Sequence, residues 1–221
     1  MKALIACERF GIVRAAFCAR GHDAWSCDLV PAADGGPHII GDVLQVLNRG
    51  WDLLIAHPPC TYLCSSGLHW NKRRPEREWQ TERALEFVEA LLHAPVKKRV
   101  LENPIGCIST RIRKPEQIIQ PWQFGHAESK ATCLWLAGVP PLKPTARLFR
   151  RWLCKCGARW EQGQEIARCP ECRAKDVKLR WENQTFSGQN KLAPSATRAM
   201  DRAKTYQGIA DAMASQWGAA A

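Results

Sequence analysis

Four thiols crowd one short stretch of the chain: Cys154-Lys155-Cys156, twelve residues, then Cys169-Pro170-Glu171-Cys172. Each pair has Gly157 or Pro170 at hand to bend the backbone, and two such pairs form the ligand set of a tetrahedral Zn²⁺. With every position filled by protein, the site would be closed and structural. Two disulfides or four unrelated thiols would be the alternatives. A second group is spread through the first half of the chain. Glu8, Asp28, Asp42, Cys60 and Glu102 each lie just beyond a short apolar run, and Cys60 has the rigid lead Pro58-Pro59. An ionised thiol is a nucleophile, and carboxyl groups accept hydroxyls or hold a transferable proton.

The elements that must position these residues alternate. Apolar runs at Ala3–Ala6, Ala24–Cys27, His38–Ile40, Asp52–Ala56 and Arg99–Leu101 read as strands. Asp52–Ala56 (DLLIA) is continuous, as in a strand buried on both faces. Between them, helical spacing runs over Ile12–Arg20, Val43–Asn48 and Glu76–His93, where Leu85, Val88, Leu91 and Leu92 share a side. This rhythm predicts an α/β fold, a Rossmann-like, doubly wound and mostly parallel sheet. Such sheets bind ligands beyond the carboxyl ends of their strands, so the five polar residues should gather on one rim. Later come a strand at Thr132–Leu136, a proline-rich link from Val139 to Pro144, and a last helix over Thr197–Trp217. The expected division is a core over 1–146, a small zinc-ribbon insertion over 147–182 and a C-terminal segment over 183–221 that returns to the core.

The chain has 221 residues, 46% hydrophobic and 24% charged, enough for one sizeable core. No apolar run approaches the roughly 18 residues of a membrane span, and the apolar start is broken at once by Glu8 and Arg9. Disorder, coiled coil, collagen and a membrane protein are excluded, and a cytoplasmic location with reduced thiols is expected. The net charge is +11. Between Arg147 and Lys204 stand fourteen basic and six acidic side chains, so eight of the eleven charges fall there, among Trp152, Trp160 and Trp181. That cluster points to a polyanion and so to phosphates, with Arg150, Arg151, Arg159, Lys178 and Arg180 as the nucleic-acid contacts.

In their order, the motifs resemble those of the cytosine-5 DNA methyltransferases. Pro58-Pro59-Cys60 and Glu102-Asn103-Pro104 are similar to that family's Pro-Cys and Glu-Asn motifs. Cys7-Glu8-Arg9-Phe10-Gly11 stands where the family has its Phe-x-Gly-x-Gly cofactor loop. Asp28 matches the acidic residue on the ribose of S-adenosylmethionine (S-adenosyl-L-methionine), and Gly41-Asp42 the position near the adenine. Phe124-Gly125-His126-Ala127-Glu128-Ser129-Lys130 resembles the segment that supports the catalytic loop, with Lys130 in place of arginine. Tyr206-Gln207-Gly208-Ile209-Ala210 resembles the closing helix, without its asparagine. More narrowly, the whole chain looks like small phage and prophage proteins labelled as such enzymes, which would place it in a bacterial host or phage.

The resemblance implies methylation of cytosine C5 in DNA, on a flipped base or a single strand. Cys60 would add to C6 and Glu102 would engage N3, with Lys130 completing the catalytic set. Cys7, Glu8, Phe10, Gly11, Asp28, Asp42 and Pro58 would hold the cofactor. The family's large target-recognition domain is missing, and the insert with Cys154, Cys156, Cys169 and Cys172 occupies its place, as a reduced DNA-reading module. Two other readings stay open: transfer of another one-carbon unit by the same nucleophile, and a catalytically silent zinc-ribbon protein that binds nucleic acid.

Overall fold

A computed structural model of the chain describes residues 1–161, 168–192, 195 and 198–219. Two compact units are formed, each from separated stretches of chain. The first comprises Met1–Ile119, Ala131–Lys143 and Thr205–Ala221; the second comprises Gln120–Lys130 and Pro144–Lys204.

The first unit is a seven-stranded sheet. β1 (Lys2–Ala6) is followed by α1 (Ile12–Cys18), β2 (Asp23–Asp28), β3 (His38–Ile40) and β4 (Leu53–Ala56). After β4 come α2 (Ser65–Leu68), α3 (Glu78–Leu92), β5 (Lys98–Pro104), α4 (Ile108–Arg111), β6 (Gln117–Ile119) and β7 (Thr132–Ala137). The strand order is β3-β2-β1-β4-β5-β7-β6. The first five strands run parallel, and β7 pairs antiparallel with both β5 and β6. The doubly wound, mostly parallel arrangement read from the sequence is present, and its order reverses between β1 and β4.

Both sheet faces are covered, as expected of parallel strands. Leu4, Ala6, Leu54, Ala56 and Leu101 pack with Val43, Val46, Leu47 and the α3 residues Leu85, Val88 and Leu91. The alternating residues Ala3, Ile5, Leu53 and Ile55 are equally buried, because successive strand side chains point to opposite faces. α1 packs on β1 and β2, and α1 packs against the closing helix of this unit, Gln207–Gly218.

Several elements differ from the sequence reading, each for an identifiable reason. Val43–Gln45 is a single 3₁₀ turn capped by Asp42, not a helix to Asn48. Pro75 opens a separate 3₁₀ turn, Pro75–Arg77, so α3 begins only at Glu78. β5 continues through Pro104, since β7 pairs with it from Arg99 to Pro104; Glu102 and Asn103 therefore lie inside the strand. The single last helix is two, α5 (Arg198–Ala203) and α6 (Gln207–Gly218), parted by the extended backbone of Tyr206 (φ −70°, ψ 134°). Thr197 lies outside the described residues.

The second unit carries a three-stranded antiparallel ribbon ordered β10-β8-β9: β8 (Arg151–Cys154), β9 (Arg159–Trp160) and β10 (Val177–Arg180). Its small core is Cys154, Trp160 and Cys169, with Trp152, Ala158, Ala174 and Val177 packed against it. Gln120–Lys130 is bound to the rest of this unit by main-chain hydrogen bonds. Gly125 N–H donates to Ala146 O (2.8 Å) and Glu182 N–H to Ala127 O (2.8 Å). Among the described residues, no helix is long and apolar enough to cross a membrane.

Candidate active site and metal centre

The carboxyl ends of β1, β2, β3 and β4 enclose a cavity of about 390 Å³. Its walls include Cys7, Asp28, Leu29, Asp42, Pro58 and Phe87. Four of the seven residues expected to hold a cofactor therefore share one cavity, at the point where the strand order reverses. Asp28 ends β2, and Gly41 N–H donates to its carbonyl (2.9 Å). Leu29 beside it is 74% exposed, an apolar surface left uncovered at the rim. Asp42 caps the 3₁₀ turn, accepting from Leu44 N–H at 3.0 Å. Cys7 has a left-handed backbone (φ 58°) and its N–H donates to Cys27 O at 2.7 Å. Burial, and then the nearby negative charge of Asp28, push its thiol up to about 12, so it stays protonated.

The other three, Glu8, Phe10 and Gly11, do not line the cavity. Glu8 is buried and takes up the start of α1: its carboxylate accepts Val13 N–H (2.6 Å) and Arg14 N–H (3.2 Å). Burial raises its pKa, against the opposing charge of His57 and these two hydrogen bonds. Gly11 caps α1 with φ 68°, and a Cβ there would strike the Arg14 guanidinium. Arg14 is itself 1% exposed. It is paired with Asp34 and donates to Pro37 O at 3.1 Å, pinning the segment between β2 and β3.

Pro58-Pro59 lead from β4 into a 3₁₀ turn, Cys60–Tyr62, on which Cys60 is half-buried. Two side chains, one just past β4 and one in β5, tie this turn to the neighbouring strand. Asn103, 1% exposed, donates from Nδ2 to Pro58 O at 2.8 Å. His57 Nδ1 lies 2.9 Å from Glu102 Oε2. Farther on, the loop after β5 zips onto the loop after Cys60: Cys107 N–H donates to Leu63 O (2.8 Å) and Ser65 N–H to Ile105 O (3.0 Å). Gly106 permits the approach, because a Cβ there would overlap Leu63 O and sit 2.7 Å from Cys64 Cα. His57 and Asn103 were not singled out as site residues in the sequence. Asn103 stands in a quoted motif and His57 immediately precedes one, but the partner of each is 45 positions away.

In the second unit the four cysteines converge. Cys154 and Cys172 sulfurs are 3.5 Å apart, Cys156 and Cys169 sulfurs 3.6 Å, and all four lie within 4.8 Å of one another. A disulfide would bring sulfurs to ~2.05 Å, whereas a tetrahedron with ~2.3 Å Zn–S bonds has edges of ~3.8 Å. The donor set and spacing fit a zinc ion. The two knuckles turn at Gly157 (φ 99°) and Arg173 (φ 62°). Cys169 is pushed down to about 7 by hydrogen bonds from backbone N–H groups, first that of Cys172, which favours the thiolate a metal needs.

The basic side chains expected at nucleic acid are in varied surroundings. Arg150 is exposed. Arg151 on β8 is paired with Glu161 (3.1 Å) and Glu182 (2.9 Å). Lys178 lies over the Phe186 ring at 4.7 Å, and Arg180 donates to Phe186 O (3.0 Å) and Leu179 O (2.9 Å). Arg159 is on β9 and half-buried. Lys130, also in this unit, donates from Nζ to Arg202 O at 2.8 Å. Trp122 and Trp181 stack at 5.7 Å with rings 8° from parallel.

No family model matches the chain, and no curated protein does. Among solved structures, it is similar to an E. coli prophage protein assigned as a DNA modification methyltransferase. The identity is 9%, over 67% of this chain and 52% of that one, with a TM-score of 0.43. It is also similar to the S. pombe Dnmt2 methyltransferase, at 14% identity over 64% of this chain and 50% of that one, with a TM-score of 0.41. The chain thus matches about half the length of each.

Proposed function

We propose that this protein methylates C5 of cytosine in DNA, with Cys60 as nucleophile and Glu102 at N3. One observation carries the reading. The Pro58-Pro59-Cys60 turn is fastened to the Glu102 strand by Asn103 and His57, beside a cavity walled by Asp28 and Asp42. C5 of cytosine is a weak nucleophile until a thiolate adds to C6 and converts the ring to an enamine. Cys60 supplies that thiolate, and Glu102 hydrogen-bonds or protonates N3 to offset the charge that addition creates. S-adenosylmethionine, when bound, supplies the methyl group and departs as the thioether. Asp28 would accept its ribose hydroxyls, Asp42 would stand near the adenine and Leu29 would pack on a ring face, with Cys7 and Pro58 as walls. Transfer of the C5 proton to water then lets the Cys60 thiolate leave and restores the ring.

The cysteine cluster would hold one structural Zn²⁺, and with Arg150, Arg159 and the Trp122–Trp181 stack the second unit would form the DNA-reading module. The base must leave its stack, by flipping or by use of single strands. The deciding experiment incubates the protein with DNA and S-adenosylmethionine, digests the DNA to nucleosides and weighs them. The expected product is 5-methylcytosine, absent with Cys60→Ser. DNA carrying 5-fluorocytosine should trap the wild type covalently at Cys60, because fluorine blocks the elimination. A different added mass would point to another one-carbon unit, and a fully active Cys60→Ser protein would reject the nucleophile.

A further inference from the structure

β4 delivers one more group to this rim than the proposed chemistry has used. His57 is the first residue past β4, and its backbone N–H donates to Ala6 O at 2.9 Å, which seats it between the ends of β1 and β4. Its side chain is 10% exposed, that of Glu102 18%. Nδ1 lies 2.9 Å from Glu102 Oε2, within hydrogen-bond range. A second carboxyl group acts on the same imidazole: Glu8, buried beyond β1, interacts with it electrostatically. The charged and titratable surroundings of the pair come from each element packed there. Arg14 of α1 acts on Glu8, while burial, and then the charge of Glu102, raise the pKa of Cys133 of β7. An imidazole placed so deep among carboxyl groups has a partner of definite chemistry, and that partner is the group assigned to N3.

We propose that His57 is the positioning residue of Glu102: its Nδ1–H holds Oε2, so that the carboxyl proton resides on Oε1, the oxygen that meets N3. The proposal rests on the cytosine-C5 reading above. A carboxylic acid has two oxygens on which its proton can sit and a side chain that can rotate. A donor fixed on one oxygen removes both freedoms, since an oxygen accepting Nδ1–H is the poorer site for the proton. As the bond from Cys60 Sγ to C6 forms, the Oε1 proton passes to N3; when the thiolate leaves, it returns to Oε1. The imidazole keeps its own proton throughout, in either the neutral Nδ1–H tautomer or the imidazolium. Asn103, the next residue of β5, meanwhile holds Pro58 O, so the acid and the nucleophile's turn are set from adjacent positions on one strand.

Two measurements test this, one of them independent of activity. In the full-length, zinc-loaded protein, the His57 ring is followed by NMR through a pH titration, in wild type and in Glu102→Gln. In the pH range where Glu102 is ionised, before it takes up the proton it gives to N3, its carboxylate raises the pKa of an imidazolium beside it. Removing it should therefore move the His57 titration down by about one unit or more. The second measurement is the kinetic split among His57 variants. His57→Leu has no donor and should lose roughly 100-fold or more in kcat, the usual weight of a placed general acid, with KM for DNA within about threefold. His57→Asn keeps an N–H near the Nδ1 position and should recover most of that loss. Thermal melts of both variants establish that they fold, and if the leucine variant does not, the asparagine variant and the titration still decide. An unmoved His57 titration, or an asparagine variant no better than leucine, overturns the assignment while leaving the Cys60 reading intact. If wild type makes no 5-methylcytosine and no 5-fluorocytosine adduct, the cytosine reading falls and this assignment with it.

Discussion

Gly106 is the residue whose enlargement should reveal how the Cys60 turn is held. In Gly106→Ala the new Cβ would overlap the Leu63 carbonyl and stand 2.7 Å from Cys64 Cα. Both neighbours are main-chain atoms, so neither can swing aside as a side-chain tip would. Forcing a methyl group into a filled space costs typically ~1–3 kcal/mol. Parting the two segments also weakens the Cys107–Leu63 and Ser65–Ile105 hydrogen bonds, each contributing about 1 kcal/mol. The sum is about 2–5 kcal/mol, below the ~5–15 kcal/mol that holds a domain together. The variant should therefore fold, with Tm lowered by roughly 4–20 °C for a chain of this size. Its damage should be concentrated locally. Hydrogen exchange should quicken at the Ser65 and Cys107 amides while the β1 and β4 amides stay protected, and kcat should fall about 100-fold because the thiol is displaced by the order of an ångström. A melt within a degree of wild type, with unchanged exchange at Ser65 and Cys107, would refute the idea that this close approach seats the turn.

Three other outcomes are expected. Purified protein should carry one Zn²⁺ per chain by metal analysis; Cys169→Ser or chelation should remove it and expose the ribbon to protease while the seven-stranded sheet survives. The raised Cys7 pKa means the unfolded thiol ionises first, so its contribution is intact below pH 9 and is lost as pH rises toward 12. Urea midpoints over that range should fall less steeply for Cys7→Ala than for wild type, the difference bounded by ~4 kcal/mol. Arg150→Ala should lower the slope of log K against log salt for duplex DNA by about 0.9, whereas Arg151→Ala, whose charge already meets Glu161 and Glu182, should change it less. Equal slopes for Arg150→Ala and wild type would place the phosphate contacts elsewhere.

Where a segment's own pattern decides its structure, the sequence was readable. The continuous apolar run before His57 reads as a strand covered on both sides, and the close spacing of Cys154 with Cys156 and of Cys169 with Cys172 reads as a ligand set from the segment alone. Where a partner far along the chain decides, it was not. β6 has three residues with Ile118 52% exposed, too few for any periodicity, and exists because β7 pairs with it. β5 runs on past Leu101 for the same reason. The rim residues Asp28 and Asp42 were found from strand ends, Pro58 only through the motif resemblance, and the three do share a cavity. Glu8 followed the same rule but turns to the first turn of α1 instead, since a carboxylate five residues before Val13 can reach the helix's unbonded amides. The basic cluster was visible as a count, but a count cannot show that Arg151 and Arg180 already have partners within their own unit.

The buried Arg14 has a consequence for how the cavity would take up a ligand. Its guanidinium, withdrawn from water and joined to Asp34 and Pro37 O, works as a post around which the β2–β3 segment is wrapped before anything binds. The Asp28–Leu29 rim begins that segment, so a ligand settling there has little chain left to immobilise. Its binding should carry a small conformational-entropy penalty and a near-diffusive on-rate, the signature of a preformed receptacle rather than of one that closes over its guest.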